Sequence, residues 1–520
     1  MRAGVDKDGK MELFDVTRSV STIVLCFGLA ACGGGSGSGG GDSQPDPPAA
    51  RPSVTLTAGQ TAYVNDRAQP VGTRRLDLTL RNTTSTGLRI FGSYTRRGIV
   101  SVDMNLQDPT VIALWIGHRT PKTLYNGTYT DQLTINVCLD QACNQPLDGS
   151  PLQITLTYTV TGTDRETGLT GPPPDPDADA LSVQTRTVLP HNVVDAEYSR
   201  SLDRIVMAAT HPQNALYIYD VATETETSVP MAKAPTAVSV SPDGRTVAVG
   251  HDKSISIVDL TQTTANPIQV AISQRVFDIV LDGRGRAHVI PDVEDRSRLY
   301  SIDIASGTEH LSNFSISVFG QTYARLHPSG NYVFIGDPLI SPARIDKWDI
   351  TGDEAQYEVP ASFDMAFIGA CGNLWFDESG ARLYSQCGQV FATQGQPRTD
   401  LPRIGRLALS GPETTTDAYT IAWMDEFPAR NEIALVEANA HWCNYPEFGI
   451  PCRHRLGIFD SETLTRQSLY ALPPIMVSGT LYTQQGLFVF NRSDGTSKYL
   501  LSRIDAIADP NAEFYLSTIE

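Results

Sequence analysis

A phrase repeated down the C-terminal two-thirds of this chain constrains its fold more than any other feature. An apolar run closes on aspartate at Tyr219-Asp220-Val221, Val258-Asp259-Leu260, Ile302-Asp303-Ile304, Trp348-Asp349-Ile350, Phe459-Asp460-Ser461 and Ile504-Asp505-Ala506. The gaps are 39, 44, 46, 111 and 45 residues. The longest reads as two ordinary gaps, with Arg406-Leu407-Ala408 as a degenerate copy between them. Seven such units follow, each too short to bury a core of its own. A repeat of this size must stack its units into an array.

The unit is clearest over residues 236–260. Ala237-Val238-Ser239-Val240-Ser241 alternates apolar and small polar residues, as a half-buried strand does. Pro242-Asp243-Gly244-Arg245 is a turn, with Pro presetting φ and Gly accepting a positive one. Thr246-Val247-Ala248-Val249-Gly250 is a second strand, His251-Asp252-Lys253 a second turn, and Ser254–Leu260 a third strand. A looser fourth strand precedes the next unit. The first turn recurs at Asp282–Gly285, Pro328–Asn331 and Glu378–Ala381, with weaker copies at Leu202–Arg204, Pro428–Arg430 and Gln484–Gly486. Four antiparallel strands per unit, with no amphipathic helical window between them, describe an all-β chain and the blades of a seven-bladed β-propeller. Residues 181–520 allow about 48 residues per unit, slightly above the ~40–45 of WD40-type blades. Leu181–Val188 is a spare strand before the first unit, placed to complete the last one.

Ser241-Pro242-Asp243-Gly244-Arg245, an apolar strand and then Ile257-Val258-Asp259 resemble the bacterial YVTN/WD40-like seven-bladed propellers over residues 181–520. The resemblance implies a fold and no single function, because the fold hosts many. The paired glycines of kelch blades and the regular Gly-His…Trp-Asp pairs of true WD40 units are absent; Trp348-Asp349 is the only Trp-Asp.

The N-terminus supplies an expected address. Thr22–Ala31 is a short apolar segment ending in small residues, as a secretory signal requires, and too short to span a bilayer. Leu29-Ala30-Ala31-Cys32 resembles the bacterial lipobox, which implies a signal peptide over 1–31 and an acyl (palmitate-type) lipid on Cys32. A Gly/Ser-rich tether follows over 32–51. Glu12 and Asp15 precede the apolar run where a signal is usually positive, and the true start is either Met1 or Met11. Gly33 rather than aspartate follows the cysteine, which by resemblance to enterobacterial sorting implies the outer membrane, facing periplasm or exterior. Six cysteines remain in three local pairs, Cys138/Cys143, Cys371/Cys387 and Cys443/Cys452. In an exported chain an even, clustered set implies disulfides, and none has zinc-ligand spacing, so no metal is expected.

Residues 52–161 are a separate module. Alternating runs at Ser53–Ala58, Leu76–Leu80, Val111–Ile116, Leu133–Val137 and Leu152–Val160, broken by turn-formers, predict a small antiparallel β-sandwich. The stretch from Gly127 through Ile154 to Val160 resembles the closing strands of bacterial Ig-like domains. Residues 162–180, with Pro172-Pro173-Pro174-Asp175-Pro176-Asp177, read as a stiff acidic linker. Residues 51–165 carry 11 Lys/Arg against 8 Asp/Glu, and 181–520 carry 25 against 40. A propeller with that acidic excess is not a nucleic-acid binder, whose footprint is basic.

In such a propeller the connections between second and third strands open on one face around the central channel. Aligning the units puts His211, His251 and Asp252, Asp292, Glu294 and Asp295, Asp337, Cys387, His441, and Arg492 and Asp494 there. Of these, His211, His251, Asp252, Asp337 and His441 are the candidates for catalysis or small-ligand binding. The plainer reading is that short turns are polar because they are solvated. The sixth unit departs most, with a connection over residues 438–454 that carries Trp442, Tyr445 and Phe448 between Cys443 and Cys452. Long loops are often functional, and rigid aromatics make binding anchors; the alternative is an insertion whose rings pack on the neighbouring unit. No G-x-S-x-G elbow, P-loop, H-E-x-x-H or dinucleotide fingerprint is present, and no cofactor is expected. The reading is a membrane-anchored binding or scaffold lipoprotein presenting a propeller to a protein, peptide or glycan. Some relatives of this fold are lactonases or quinoprotein dehydrogenases, so a propeller hydrolase or oxidoreductase acting at the same mouth is the second reading.

Overall fold

The computed structural model describes residues 50–519 except 70–71, 86–87, 141–142, 166, 263–265, 294–295, 318–321, 338–343, 359–371, 394–400, 412–417, 440–451 and 505–511; of the first 49 it describes 4–5 and 10–12. Among the described residues the elements are strands and two 3-10 turns, Pro121–Thr123 and Pro428–Arg430. No helix there is long and apolar enough to cross a membrane. The chain divides into two compact units, Met1–Thr170 with Ile507–Asp509, and Gly171–Ala506 with Pro510–Glu520.

The first unit holds two sheets. Ser53–Ala58, Arg74–Arg81, Val111–His118 and Ile99–Asp108 lie in that order in one. In the other, Arg89–Tyr94, Gly127–Cys138 and Leu152–Thr161 are antiparallel, and Ala62–Asp66 joins Leu152–Thr161 in parallel. Alternation decides what is buried: Leu76, Leu78 and Leu80 of one sheet and Ile154, Leu156, Tyr158 and Val160 of the other all point inward. Across the interior the His118 ring stacks on Tyr158 at 4.6 Å and tilts against Tyr63 at 4.9 Å. Burial takes the His118 imidazole down to about 4, so it is a neutral core ring. Cys138 and Cys143 form a disulfide, with Cα atoms 5.2 Å apart.

The second unit is a succession of antiparallel meanders. Asp195–Ser199, Arg204–Ala209, Ala215–Asp220 and Thr225–Pro230 make the first. The same order recurs in the sheets running from Tyr323–Leu326 to Gln356–Glu358 and from Leu374–Phe376 to Arg403–Arg406. Between them lies a six-stranded sheet in which Thr246–Asp259 and Ile268–Leu281 each pair with one neighbour through their first half and another through their second. It is two meanders fused. His251–Lys253 turns as expected: Leu260 N–H bonds the Arg245 carbonyl at 2.8 Å, so the two halves of Thr246–Asp259 fold back on each other, with Lys253 at φ 55° in the tight turn between them.

The next sheet holds Thr420–Phe427, Glu432–Ala438, His454–Asp460 and Arg466–Ala471. Its outer edge is covered by Asp179–Ala180 in parallel. Asp175 grips the buried Arg455 through two bonds of 2.6 and 2.7 Å. The Pro/Asp-rich segment is therefore docked along a sheet edge, and only its start reads as a spacer. The last sheet holds Gln484–Asn491, Lys498–Ile504 and Phe514–Ile519, with the N-terminal strand Val183–Leu189 on its outer side. The spare strand predicted at 181–188 sits there.

The repeated aspartate has a local cause. Oδ1 of Asp220, Asp259, Asp303, Asp349 and Asp460 accepts both the backbone N–H and the hydroxyl of a Ser or Thr two or three residues on. It ties off the third strand as the chain turns into the fourth. The bonds from Thr261, Ser306 and Thr463 hold Asp259, Asp303 and Asp460 below the usual carboxylate range. Gly244, Gly283, Gly330, Gly380 and Gly495 turn the first strand into the second, all with φ between +68° and +74°, a region other residues enter at a cost.

Two repeats fall elsewhere than expected. Ala392, not a residue of Arg406-Leu407-Ala408, occupies the aspartate position of the fifth meander, pairing with Arg382 at the start of the second strand. Gln484-Gln485-Gly486 lies inside a first strand, and the turn of the last meander is Arg492–Thr496 around Asp494-Gly495. Lys498–Ile504 is thus a second strand, and the apolar run before Asp505 belongs to a different position of the repeat. Composition alone does not separate two apolar strands that both precede an aspartate.

Candidate functional site

Among the described residues, those expected at the second-to-third-strand connections lie there in every meander but the last. His211 is exposed, with its backbone N–H on Asn192 Oδ1 at 2.9 Å. His251 is fully buried, its ring nitrogens 3.2 Å from the Ala234 carbonyl and 2.9 Å from Ser256 Oγ. Burial lowers its pKa, which makes it a neutral core imidazole rather than a ligand or base. Asp252 is exposed, and its carbonyl accepts Lys233 Nζ. Asp292 pairs with Arg275 at 3.1 Å. Asp337 ends the strand Tyr332–Asp337, its backbone paired to Arg344. Arg492 and Asp494 sit on a first-to-second-strand turn, at the opposite end of the strands, because the last meander is shifted by one strand.

Glu294, Asp295 and His441 lie outside the described residues, as do Cys32, Cys371, Cys443, Trp442, Tyr445 and Phe448. Cys387 and Cys452 are disulfide-bonded, to partners outside the described residues. Among the described residues no group of three His, Cys, Asp or Glu could hold a metal ion.

A different site emerges along the first strands. Counted back from the residue that pairs with the start of the second strand, Glu197, Ser239, Arg325, Trp375 and Asp425 occupy one equivalent position. They line two adjoining cavities of about 360 and 440 Å³, which share Glu197, Arg325 and Leu326 as a common wall. Tyr198, Phe376, Trp423 and Phe490 add aromatic surface to the first cavity, with Trp423 edge-on to Trp375 at 6.2 Å. Both cavities lie toward the first-to-second-strand turns, away from the mouth that the sequence favours.

The charged groups here also lace neighbouring meanders together. Asp195 Oδ2 accepts Val238 N–H at 2.8 Å, and Glu197 Oε2 accepts Val240 N–H at 2.6 Å. Ser239 Oγ accepts Leu281 N–H at 3.0 Å, and Asp278 Oδ2 accepts Ala324 N–H at 2.8 Å. His327 Nε2 lies 2.9 Å from the Gly380 carbonyl, and Glu426 Oε2 accepts Glu378 N–H at 3.1 Å. Asp425 Oδ2 accepts Asn491 N–H at 2.6 Å, and Tyr198 Oη meets Ser493 Oγ at 2.9 Å. Arg325 stands 3.3 Å from Asp278 and faces the Trp423 ring at 5.6 Å. Arg200 bridges Asp425 and Glu378.

The protonation states follow from depth. Glu197, Asp425 and Glu426 line the cavity and Asp195 and Asp278 lie on the same strands as lining residues; all are surrounded by protein, and desolvation penalises their charged forms. It pushes Glu197 up to about 8, Asp195 up to about 7 and Asp425 up to about 6. Asp278 and Glu426 are raised as well, again by burial first. Arg325 opposes the rise at Asp195, Glu197 and Asp278, and Arg200 at Asp425.

These residues lie within strands, and no turn motif points to them. The available signal was charge inside apolar strands: Asp195-Ala196-Glu197, Asp278 within Val276–Leu281, and Asp425-Glu426.

No protein-family model matches the chain, and no curated protein matches it. Solved structures similar to it include the β-propeller domain of Myceliophteria thermophila Cps50 (Swd1), 13% identical, covering 65% of this chain and 100% of that one, with a TM-score of 0.45. Kuenenia stuttgartiensis hydrazine synthase is 16% identical, covering 61% of this chain and 94% of that one, with a TM-score of 0.40.

Proposed function

We propose that this chain is a binding protein: a seven-bladed β-propeller whose axial cavity holds part of a protein, peptide or glycan, preceded by an Ig-like sandwich. What supports the propeller is the succession of four-stranded meanders and the side-chain bonds that link each first strand region to the next, the last to the first included. The observation that carries the binding reading is the axial cavity itself. Each half, of about 360 and 440 Å³, falls within the ~300–1,000 Å³ typical of ligand pockets, and aromatic faces and charged groups share the wall. In this reading the chain is exported, lipidated at Cys32 and held at the outer membrane on its Gly/Ser tether. Trp442, Tyr445 and Phe448 form a second contact ridge.

Leu326→Trp tests the cavity, since Leu326 lines both halves. Immobilised wild-type chain should retain a component of solubilised membranes that the filled variant does not, with both melting at the same temperature. Equal capture by both would remove the cavity from the function. Growth with a tagged fatty acid tests the address, and a wild-type chain without label would refute the anchor.

The raised carboxyls favour one alternative. Asp195 and Glu197, poised near neutral pH, are suited to proton transfer, which is what a propeller hydrolase would need. A captured component that leaves the protein chemically altered would move the chain to that class.

A further inference from the structure

We propose that the axial cavity takes a cationic group, an ammonium or guanidinium on a short aliphatic stem, with Glu197 as its carboxylate partner. The inference rests on the binding reading above and names the chemistry of the ligand.

Charge balance comes first. Asp195, Glu197, Asp278, Glu378, Asp425 and Glu426 lie in or beside the cavity, and among the described residues the cations lining it are Arg200 and Arg325. Both cations are engaged, Arg325 with Asp278 at 3.3 Å and Arg200 with Asp425 and Glu378. Glu197, like Asp195 and Glu426, makes no ion pair among the described residues. It lines both halves of the cavity, and its hydrogen bond from the described residues is one backbone N–H, that of Val240. A carboxylate has about four acceptor sites, so most of this one's capacity is unused.

The surroundings select the rest of the ligand. The rings of Tyr198, Phe376 and Phe490 line the same space, offering apolar contact to a stem and quadrupole attraction to a cation. Trp375 lines the same space and adds a further ring face.

Proton linkage makes the proposal measurable. Glu197 is faced by Asp195 on its own strand, by Asp278, Tyr323 and Arg325 from adjoining strands, and by Arg200, Glu378, Asp425 and Glu426 around the cavity. Burial holds its carboxyl up at about 8, so near neutral pH the empty site is largely protonated. An arriving cation stabilises the charged form and expels the proton, and binding tightens as pH rises.

The test is calorimetric titration of the full chain with Nα-acetylarginine amide and with agmatine, at about pH 6 and about pH 8.5, in buffers of different ionisation enthalpy. Nα-acetylnorleucine amide and Nα-acetylglutamate amide serve as neutral and anionic comparators. If binding lowers the Glu197 pKa by about one unit, both cations should bind about tenfold more tightly at the higher pH, and proton release, followed in the same buffers at about pH 7.5, should be greatest there, between the two pKa values. The amide should bind better than agmatine if the ligand is a peptide, and agmatine at least as well if it is a free amine. Glu197→Gln keeps an acceptor for Val240 N–H, so it should fold normally, bind about tenfold more weakly and lose the pH dependence. Binding of neither cation, equal binding of the comparators, or an unchanged Glu197→Gln variant would overturn the proposal. If Leu326→Trp still abolishes capture in that case, the binding reading stands and only the cationic ligand falls.

Discussion

Buried carboxylates occur in both units, and they are treated in opposite ways. Asp131, in the first unit, accepts from Thr95 Oγ1 and the backbone N–H groups of Arg97, Gly98 and Ile99, all at 2.7–3.0 Å. Its acceptor capacity is filled by the strand connection it pins. Glu197, in the second unit, accepts one backbone N–H and turns its remaining capacity toward a cavity. Burial raises both, Asp131 to about 6 and Glu197 to about 8, so depth alone does not separate them. Saturation does. A carboxylate with every lone pair engaged is a brace, and one with lone pairs to spare beside open space has acceptor capacity left for a donor.

Three measurements can break that distinction or sharpen it. The largest effect is expected from Asp131→Ala, which strands the buried N–H donors of Gly98 and Ile99 and the part-buried one of Arg97. An unsatisfied buried donor costs about 1–3 kcal/mol, so the loss should exceed about 3 kcal/mol in denaturant unfolding of the first unit. If Glu197→Ala proves equally damaging, the two carboxylates do the same job and the comparison fails.

Arg455→Ala comes next. Arg455 is gripped by Asp175 and stacked over Tyr419 at 4.5 Å. Removing one member of a buried pair costs about 3–5 kcal/mol, and the 172–180 segment should become sensitive to protease. Resistance equal to wild type would show that the Asp179–Ala180 pairing alone holds that segment.

The smallest effect is in stability against pH. Asp195, Glu197 and Asp425 have folded pKa values of about 7, 8 and 6, above the ~4 of an unfolded carboxyl. Between those limits the folded chain holds more protons than the unfolded one, so stability falls as pH rises from about 4 to about 8. The melting temperature of the empty protein should decline over that interval. Glu197→Gln should flatten the upper part of the decline while costing under about 1 kcal/mol near pH 5. A melting temperature that climbs from pH 5 to pH 8 would mean these groups ionise freely.

The meanders were legible in the sequence because turn chemistry repeats with them. Asp243-Gly244 and the aspartate–threonine pair at Asp259 and Thr261 announce both ends of a unit. Register was legible only where both signals survive. At residues 389–408 the aspartate is replaced by Ala392, and in the last meander an apolar second strand precedes an unrelated aspartate, so both were misaligned by one strand. That slip carried Arg492 and Asp494 to the wrong end of the strands. The residues lining the cavity were invisible for another reason. Whether Glu197 or Ser239 faces solvent, core or cavity depends on how first strands from distant parts of the chain are brought side by side. No local pattern carries that information.

The seam between Val183–Leu189 and Phe514–Ile519 has a consequence for biosynthesis. The earlier strand leaves the ribosome more than three hundred residues before its partner. Through that interval it has an unmatched hydrogen-bonding edge, the kind that invites pairing with a neighbouring chain. Four of its seven residues, Gln184, Thr185, Arg186 and Thr187, are polar and exposed, which makes the waiting strand a poor template for aggregation. Folding of the second unit therefore ends as a late zipping of its two chain ends, and a synthesis halted before residue 514 leaves a chain that has all its other sheets and no latch.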